Sequence, residues 1–322
     1  MIFQKQIEKM YRSNLFIRND NAHGIFYFGP EDFPGLIAHP YEFPAKAGHI
    51  LKGYFYHYED PVPGRLIVFD HGMGNGHRAY MREIERLARE GFLVFSYDHT
   101  GCMESGGEST NGFGQSLSDL DDCMNAIKQI DCLKRRRIAV MGHSWGGYST
   151  LNIAAFHPEI SHVISMSGFI SIPIMLQQTF SGLLKPFWEP ILELEHQANP
   201  EYTYLDARKS IWFSDANYLL IYSADDKVVR KNPHYDMLFN CFARRYNVKL
   251  LLVEGKGHSP NYTKEAVALK DAFFKDFQKA VKRKKLETKE QQKAFMSRYD
   301  WKAMTEQDEY VWKEVIATLM EK

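Results

Sequence analysis

Ser144 stands between Gly142 and Gly146 in MGHSWGGYST, residues 141–150, directly after RRRIAV. Glycine is required where φ is positive or where a side chain would collide, so two glycines at this spacing imply a cramped turn about one hydroxyl. Arg137–Met141 reads as a short buried strand and 147–156 as a helix with no proline before Pro158. Strand, sharp turn and helix form the setting of a nucleophile elbow, in which the serine oxygen projects above a sheet toward the helix's N-terminal N–H groups. A serine hydroxyl is a weak nucleophile at neutral pH and needs a base, and the base needs an orienting acid.

Of the thirteen histidines, His258 in VEGKGHSP lies just past the last apolar strand, Val248–Val253, on a glycine-rich loop ahead of a helix. That loop emerges at the carboxyl ends of the strands, where ligands gather in parallel sheets. The acid belongs after a strand lying between Ser144 and His258 in sequence. Val163–Met166 runs into SGF with no carboxylate, whereas YLLIYSADDKVV offers Asp225 and Asp226. Asp226 is preferred, three residues after the strand-ending Ser223 and three before Val229, with Asp225 as the alternative. Two N–H donors complete an oxyanion site: the Trp145 backbone, immediately after the nucleophile, and Met73 in the loop His71-Gly72-Met73-Gly74. His71 reads as a buried residue fixing that loop, and Asp98 as a structural turn residue.

The elements that must position these groups follow from hydrophobic periodicity. From residue 64, short apolar runs alternate with helix-period segments: Arg65–Phe69, Tyr80–Arg89, Phe92–Tyr97, Ser116–Ile130, Ile138–Met141, Val163–Met166, Tyr218–Tyr222 and Val248–Val253. Near-continuous apolar strands between helices indicate an α/β fold with a mostly parallel sheet flanked by helices. Helix faces are marked by Met81, Ile84, Leu87 and Ala88, by Leu117, Leu120, Met124 and Ile127, and by Leu269, Phe273, Phe277 and Ala280. Residues 1–45 read as an N-terminal arm leading into the antiparallel edge strand ILKGYFYHY. Residues 46–169 and 216–283 read as the core. Residues 170–215 read as an inserted helical cap, with apolar spacing at Leu183, Leu184, Phe187, Trp188, Ile191 and Leu192. Residues 284–322 read as a charged linker and a C-terminal amphipathic helix marked by Tyr310, Trp312, Val315, Ile316 and Leu319.

Composition narrows the function classes. The 322 residues carry 40 basic and 40 acidic side chains, so the chain lacks the footprint of a nucleic-acid binder. The run Lys282–Lys285 reads as a solvated helix end. Cys102, Cys123, Cys132 and Cys241 show neither C-x-x-C nor zinc-like spacing. With a charged N-terminus and no apolar stretch of membrane-spanning length, the expectation is a cytoplasmic protein with no membrane span.

HGMG, the D-x-x-G turn at Asp98–Gly101, GHSWGG, SADDKVV and GKGH occur here in one order, and together they resemble the α/β-hydrolase superfamily, in its esterase, lipase and acyl-peptidase-like branch. The resemblance spans residues 46–169 and 216–283. It departs at Ser223, where glycine is usual, and at Thr100, where arginine is common. It implies an α/β-hydrolase fold and acyl transfer to water: Ser144 attacks, His258 takes and returns the proton, Asp226 orients His258, and Trp145 and Met73 hold the oxyanion. No metal or organic cofactor is implied. The aromatic, leucine-rich cap suggests a small to medium, largely apolar ester. A peptidase or acyl-peptide hydrolase, a thioesterase, an acyltransferase and an idle binding protein are alternatives, and a homodimer is possible through the C-terminal helix.

Overall fold

The computed structural model describes residues 2–20, 28–59, 64–74 and 76–321; residues 21–27 of the expected arm and 60–63 of the expected core lie outside the described residues. The strands are β1 (Ile37–Pro44), β2 (Ile50–His57), β3 (Arg65–Asp70), β4 (Leu93–Tyr97), β5 (Arg137–His143), β6 (Ile160–Met166), β7 (Asn217–Ser223) and β8 (Val248–Val253). They form one sheet in the order β1-β2-β4-β3-β5-β6-β7-β8. β1 and β2 are antiparallel, β2 runs antiparallel to β4, and every pairing from β4 to β8 is parallel. This is the α/β-hydrolase fold expected from the sequence.

Side chains alternate across a strand, so each strand feeds two cores. Leu66, Val68, Phe95, Val140 and Leu220 face one cluster with α3 (Gln115–Ile127) and α4 (Trp145–Ile153); Ile67, Phe69, Val94, Met141, Leu219 and Ile221 face the other with α2 (Met81–Arg89). The remaining helices are α1 (Ile2–Leu15), α5 (Ile172–Thr179), α6 (Trp188–Ala198), α7 (Ala207–Trp212), α8 (Asp236–Phe242), α9 (Lys264–Lys282), α10 (Lys289–Met296), α11 (Trp301–Met304) and α12 (Glu309–Met320). Among the described residues no helix is long and apolar enough to cross a membrane.

Several expectations are corrected. Leu269 is 46% exposed, because α9 turns Ala266, Phe273 and Ala280 inward instead. Phe273 and Ala280 pack in a satellite cluster with Leu286, Phe295, Met296 and Met304, not on the sheet. The place on the sheet is taken by α12, whose Val311, Trp312, Val315 and Leu319 join the second core while Tyr310 faces solvent. The supposed linker after residue 284 is folded: Thr288 and Gln291 form a reciprocal capping box that starts α10. Between β6 and β7, Gly182–Phe187 is a 3-10 turn containing Pro186, so Leu183, 96% exposed, and Leu184 point to solvent while Ile191 and Leu192 of α6 are buried. An α-helical spacing does not hold through such a turn.

The N-terminal helix is locked to α6 by a buried carboxyl. Glu195 accepts hydrogen bonds from the Tyr11 hydroxyl (2.5 Å) and the Phe113 N–H (2.7 Å), and it has no exposed surface. Burial pushes the Glu195 carboxyl up from 4.5 to about 7. The folded state therefore holds this proton more tightly than the unfolded chain, so its stabilisation is complete below pH 4.5 and is lost as pH rises through about 7. Relative to Glu195→Gln, the wild type should lose about 3 kcal/mol of unfolding free energy across that window. Urea unfolding of both proteins at several pH values checks this; parallel curves would contradict it.

Candidate active site

The carboxyl edge of the sheet collects the site. Asp70 pairs with Gly142, His143 with Met166 and Ser223 with Val253, so the ends of β3, β5, β6, β7 and β8 lie side by side. Ser144 links β5 to α4 with φ 56° and ψ −109°, a conformation that L-residues avoid. The flanking glycines serve space, not positive φ, which falls on the serine itself. A Cβ on Gly142 would collide with the Gly146 carbonyl oxygen, and one on Gly146 with the Asp70 carbonyl oxygen.

Ser144 Oγ lies 2.8 Å from His258 Nε2, and His258 Nδ1 lies 2.7 Å from Asp226 Oδ2. A carboxylate only accepts, so the proton sits on Nδ1 and Nε2 is left as acceptor for the serine hydroxyl. Asp226 is buried, and its other oxygen accepts from the Val228 (2.8 Å) and Val229 (3.1 Å) N–H groups. Asp225 points the other way: it accepts from Ser223 Oγ (2.6 Å) and from the N–H groups of Gly255, Lys256 and Gly257 (2.9, 3.2 and 3.2 Å). Ser223, the departure from the resembling family, thus helps hold Asp225 against the loop that carries His258. Burial alone would raise the Asp225 carboxyl, but the Ser223 hydroxyl and these N–H groups hold it below its ordinary value.

Trp145 begins α4, and its N–H is among the donors that the first turn of a helix leaves unpaired inside the helix. Its indole donates to the Phe113 carbonyl at 2.7 Å. In the loop after β3, His71 accepts the His99 N–H on Nε2 (3.0 Å) and so donates from Nδ1 to the Gly72 carbonyl (2.7 Å). Because the next peptide is planar and trans, that bond directs the Met73 N–H away from His71. Burial, reinforced by neighbouring His99, lowers His71 to about 3, which keeps it neutral. Asp98 accepts from the His77 N–H and ring Nδ1, both at 2.8 Å. Burial would raise its carboxyl, but His77 outweighs that and holds it at about 2.

Sequence reasoning missed the buried charges beneath the elbow. His99 Nε2 lies 3.0 Å from Asp70 Oδ1, and Nδ1 lies 3.2 Å from Asp119 Oδ2. Burial disfavours the charged ring, yet the two carboxylates push it up to about 10, so His99 is an imidazolium at neutral pH. Asp70 also accepts from the hydroxyls of Tyr97 (3.0 Å) and Ser149, tying β3, β4 and α4 together under Ser144. Thr100, where the resembling family commonly has arginine, donates to Asp119 through its hydroxyl and N–H, both at 2.7 Å. A second unforeseen feature is a cleft of about 320 Å³ lined by Met73, Tyr80, Glu83, His258, Tyr262 and Lys270. Burial lowers the Lys270 ammonium below its ordinary value, and Glu83 opposes that shift. Among the described residues no cluster could hold a metal ion.

With that geometry established, residues 61–243 match the family model of the serine aminopeptidases, S33. The chain belongs to this family. As an S33 member it is similar to a putative non-heme haloperoxidase of Mycobacterium phage D29, 35% identical over 96 residues, which are 30% of this chain and 33% of that protein. It is also similar to dipeptidyl peptidase family member 6 of Caenorhabditis elegans, 24% identical over 215 residues, 61% of this chain and 28% of that protein. The chain spans about a third of the length of these curated relatives. Among solved structures, the Pyrococcus furiosus esterase Pf2001 superposes with a TM-score of 0.59 at 20% identity, covering 82% of this S33 chain and 98% of the esterase.

Proposed function

We propose that this protein is a hydrolase that cleaves a carboxylic ester of a small to medium, largely apolar substrate through an acyl-enzyme on Ser144. The observation that carries the reading is the chain of two hydrogen bonds from Ser144 Oγ through His258 to Asp226, set on a strained strand-to-helix turn. As Oγ attacks the carbonyl carbon, His258 Nε2 takes its proton and Asp226 stabilises the imidazolium. The carbonyl oxygen becomes an oxyanion facing the N–H groups of Trp145 and Met73. His258 then returns the proton to the departing alkoxide, and water, deprotonated by the same ring, releases the acid and restores Ser144. The fold likeness to an esterase agrees with this reading. Free thiols at buried Cys102 and Cys123 suit a reducing compartment, which supports a cytoplasmic location.

Peptide or aminoacyl amide hydrolysis is the second reading. The cleft beside His258 favours it, because Glu83 and Lys270 in its wall offer polar partners to the polar atoms that a peptide leaving group brings. Labelling with a fluorophosphonate, followed by peptide mapping, should place the adduct on Ser144. Rates on p-nitrophenyl esters from C2 to C12 beside aminoacyl p-nitroanilides then separate the two readings. Ester turnover is expected; amide turnover alone would replace esterase by peptidase, and absence of both label and turnover would indicate an idle site.

A further inference from the structure

His143 ends β5, one residue before Ser144, and its buried ring lies beside that of His258 with centroids 4.8 Å apart. Its Nε2 is 2.6 Å from the main-chain carbonyl oxygen of His258, and its Nδ1 is 2.8 Å from the Tyr80 hydroxyl. A carbonyl can only accept, so Nε2 carries the proton and Nδ1 of the neutral ring accepts from Tyr80. Burial, with the charge that His258 acquires, holds His143 well below the usual histidine value, so this tautomer persists. The first glycine of the oxyanion loop makes room for the contact: a Cβ on Gly72 would run into the Tyr80 hydroxyl and approach His143 Nδ1 to 3.4 Å.

The loop that carries His258 needs such a hold. Gly255 and Gly257 adopt φ of 72° and 51°, and Asp225 anchors only the N–H groups before His258. The Asp226 bond restrains the imidazole, not the His258 main chain. We propose that His143 is a positioning residue that fixes the main chain of His258 to the strand end presenting Ser144, with Tyr80 setting the tautomer that makes His143 a donor. The proposal rests on the acyl-transfer reading, in which a displacement of base from nucleophile by about 1 Å costs on the order of a hundredfold.

The second-order rate of fluorophosphonate labelling tests it without knowledge of the substrate. His143→Leu should label about 30-fold more slowly or worse. His143→Gln, whose carboxamide N–H can reach the same carbonyl, should stay within about fivefold of wild type, and Tyr80→Phe should fall between. The low-field NMR signal of the His258 Nδ1 proton should persist in the Gln variant and broaden in the Leu variant. If a folded Leu variant labels at the wild-type rate, or Gln is no better than Leu, the role of His143 is overturned. Should the Leu variant fail to fold, the decision passes to Tyr80→Phe, and a wild-type rate with an unchanged low-field signal overturns the proposal. A wild-type protein that does not label overturns the acyl-transfer reading and this role with it.

Discussion

Ser144→Ala should lower kcat/KM on p-nitrophenyl acetate by about 10⁵ to 10⁶ and abolish fluorophosphonate labelling, because Ser144 Oγ is the hydroxyl placed where His258 Nε2 can deprotonate it. A residual acceleration of roughly 10³ over water should survive, since the N–H donors and the binding surface remain. Stability should behave differently. Ser144 holds φ 56°, at a cost of about 1 to 3 kcal/mol for a non-glycine residue. Alanine retains that strain and removes only one half-buried hydrogen bond, so its urea midpoint should stay near that of the wild type. Ser144→Gly removes the Cβ and should be inactive yet more stable by about 1 kcal/mol, the mark of strain kept for function. Initial rates and urea unfolding on the three proteins check both halves; an alanine variant within tenfold of wild-type activity would remove Ser144 from the chemistry.

The sheet was legible because parallel strands covered on both faces read as apolar runs, and β3 to β8 are such runs. Ser144, the Asp225–Asp226 pair and His258 were legible for a related reason: each directly follows one of those runs, and the parallel topology brings the run ends to one edge. What stayed hidden depends on partners remote in sequence. The inward face of α9 is set by α10 and α11 rather than by the sheet, so Leu269 fits a helical stripe and still faces water. Leu183 and Leu184 carry α-helical spacing, but Pro186 and Gly182 lie in a 3-10 turn where that spacing has no common face. Asp70, His99 and Asp119 look like ordinary polar residues at element ends. Only the fold stacks them into one buried ion cluster, and a polar residue ending a run was the sole hint. His143 sat inside the quoted elbow motif, yet nothing in its spacing reveals a contact with a carbonyl 115 residues away.

Spacing also leaves Asp225 and Asp226 one residue apart, and adjacent side chains on such a loop take opposite directions. The pair can be separated by asparagine scanning. In Asp226→Asn the amide oxygen can keep the Val228 and Val229 N–H groups, which leaves an NH2 donor against His258 Nδ1. The ring then protonates on Nε2, the atom facing Ser144, and loses its capacity as a base. The expected loss is about 10⁴ in kcat with KM nearly unchanged, as for a triad held in the wrong tautomer. Asp225→Asn leaves the tautomer intact. It sets an NH2 against an N–H donor of the 255–257 loop, so it should cost about 1 to 2 kcal/mol of stability. Its effect on kcat should stay within tens of fold, through a looser His258 loop. The two variants should therefore differ by roughly 10³ in kcat, with the ordering of their melting temperatures reversed relative to their activities. Equal kcat values would remove Asp226 from the role of acid, and the larger loss in Asp225→Asn would move that role to its neighbour, because only the carboxylate that fixes the tautomer can produce a loss of that size without a matching loss of stability.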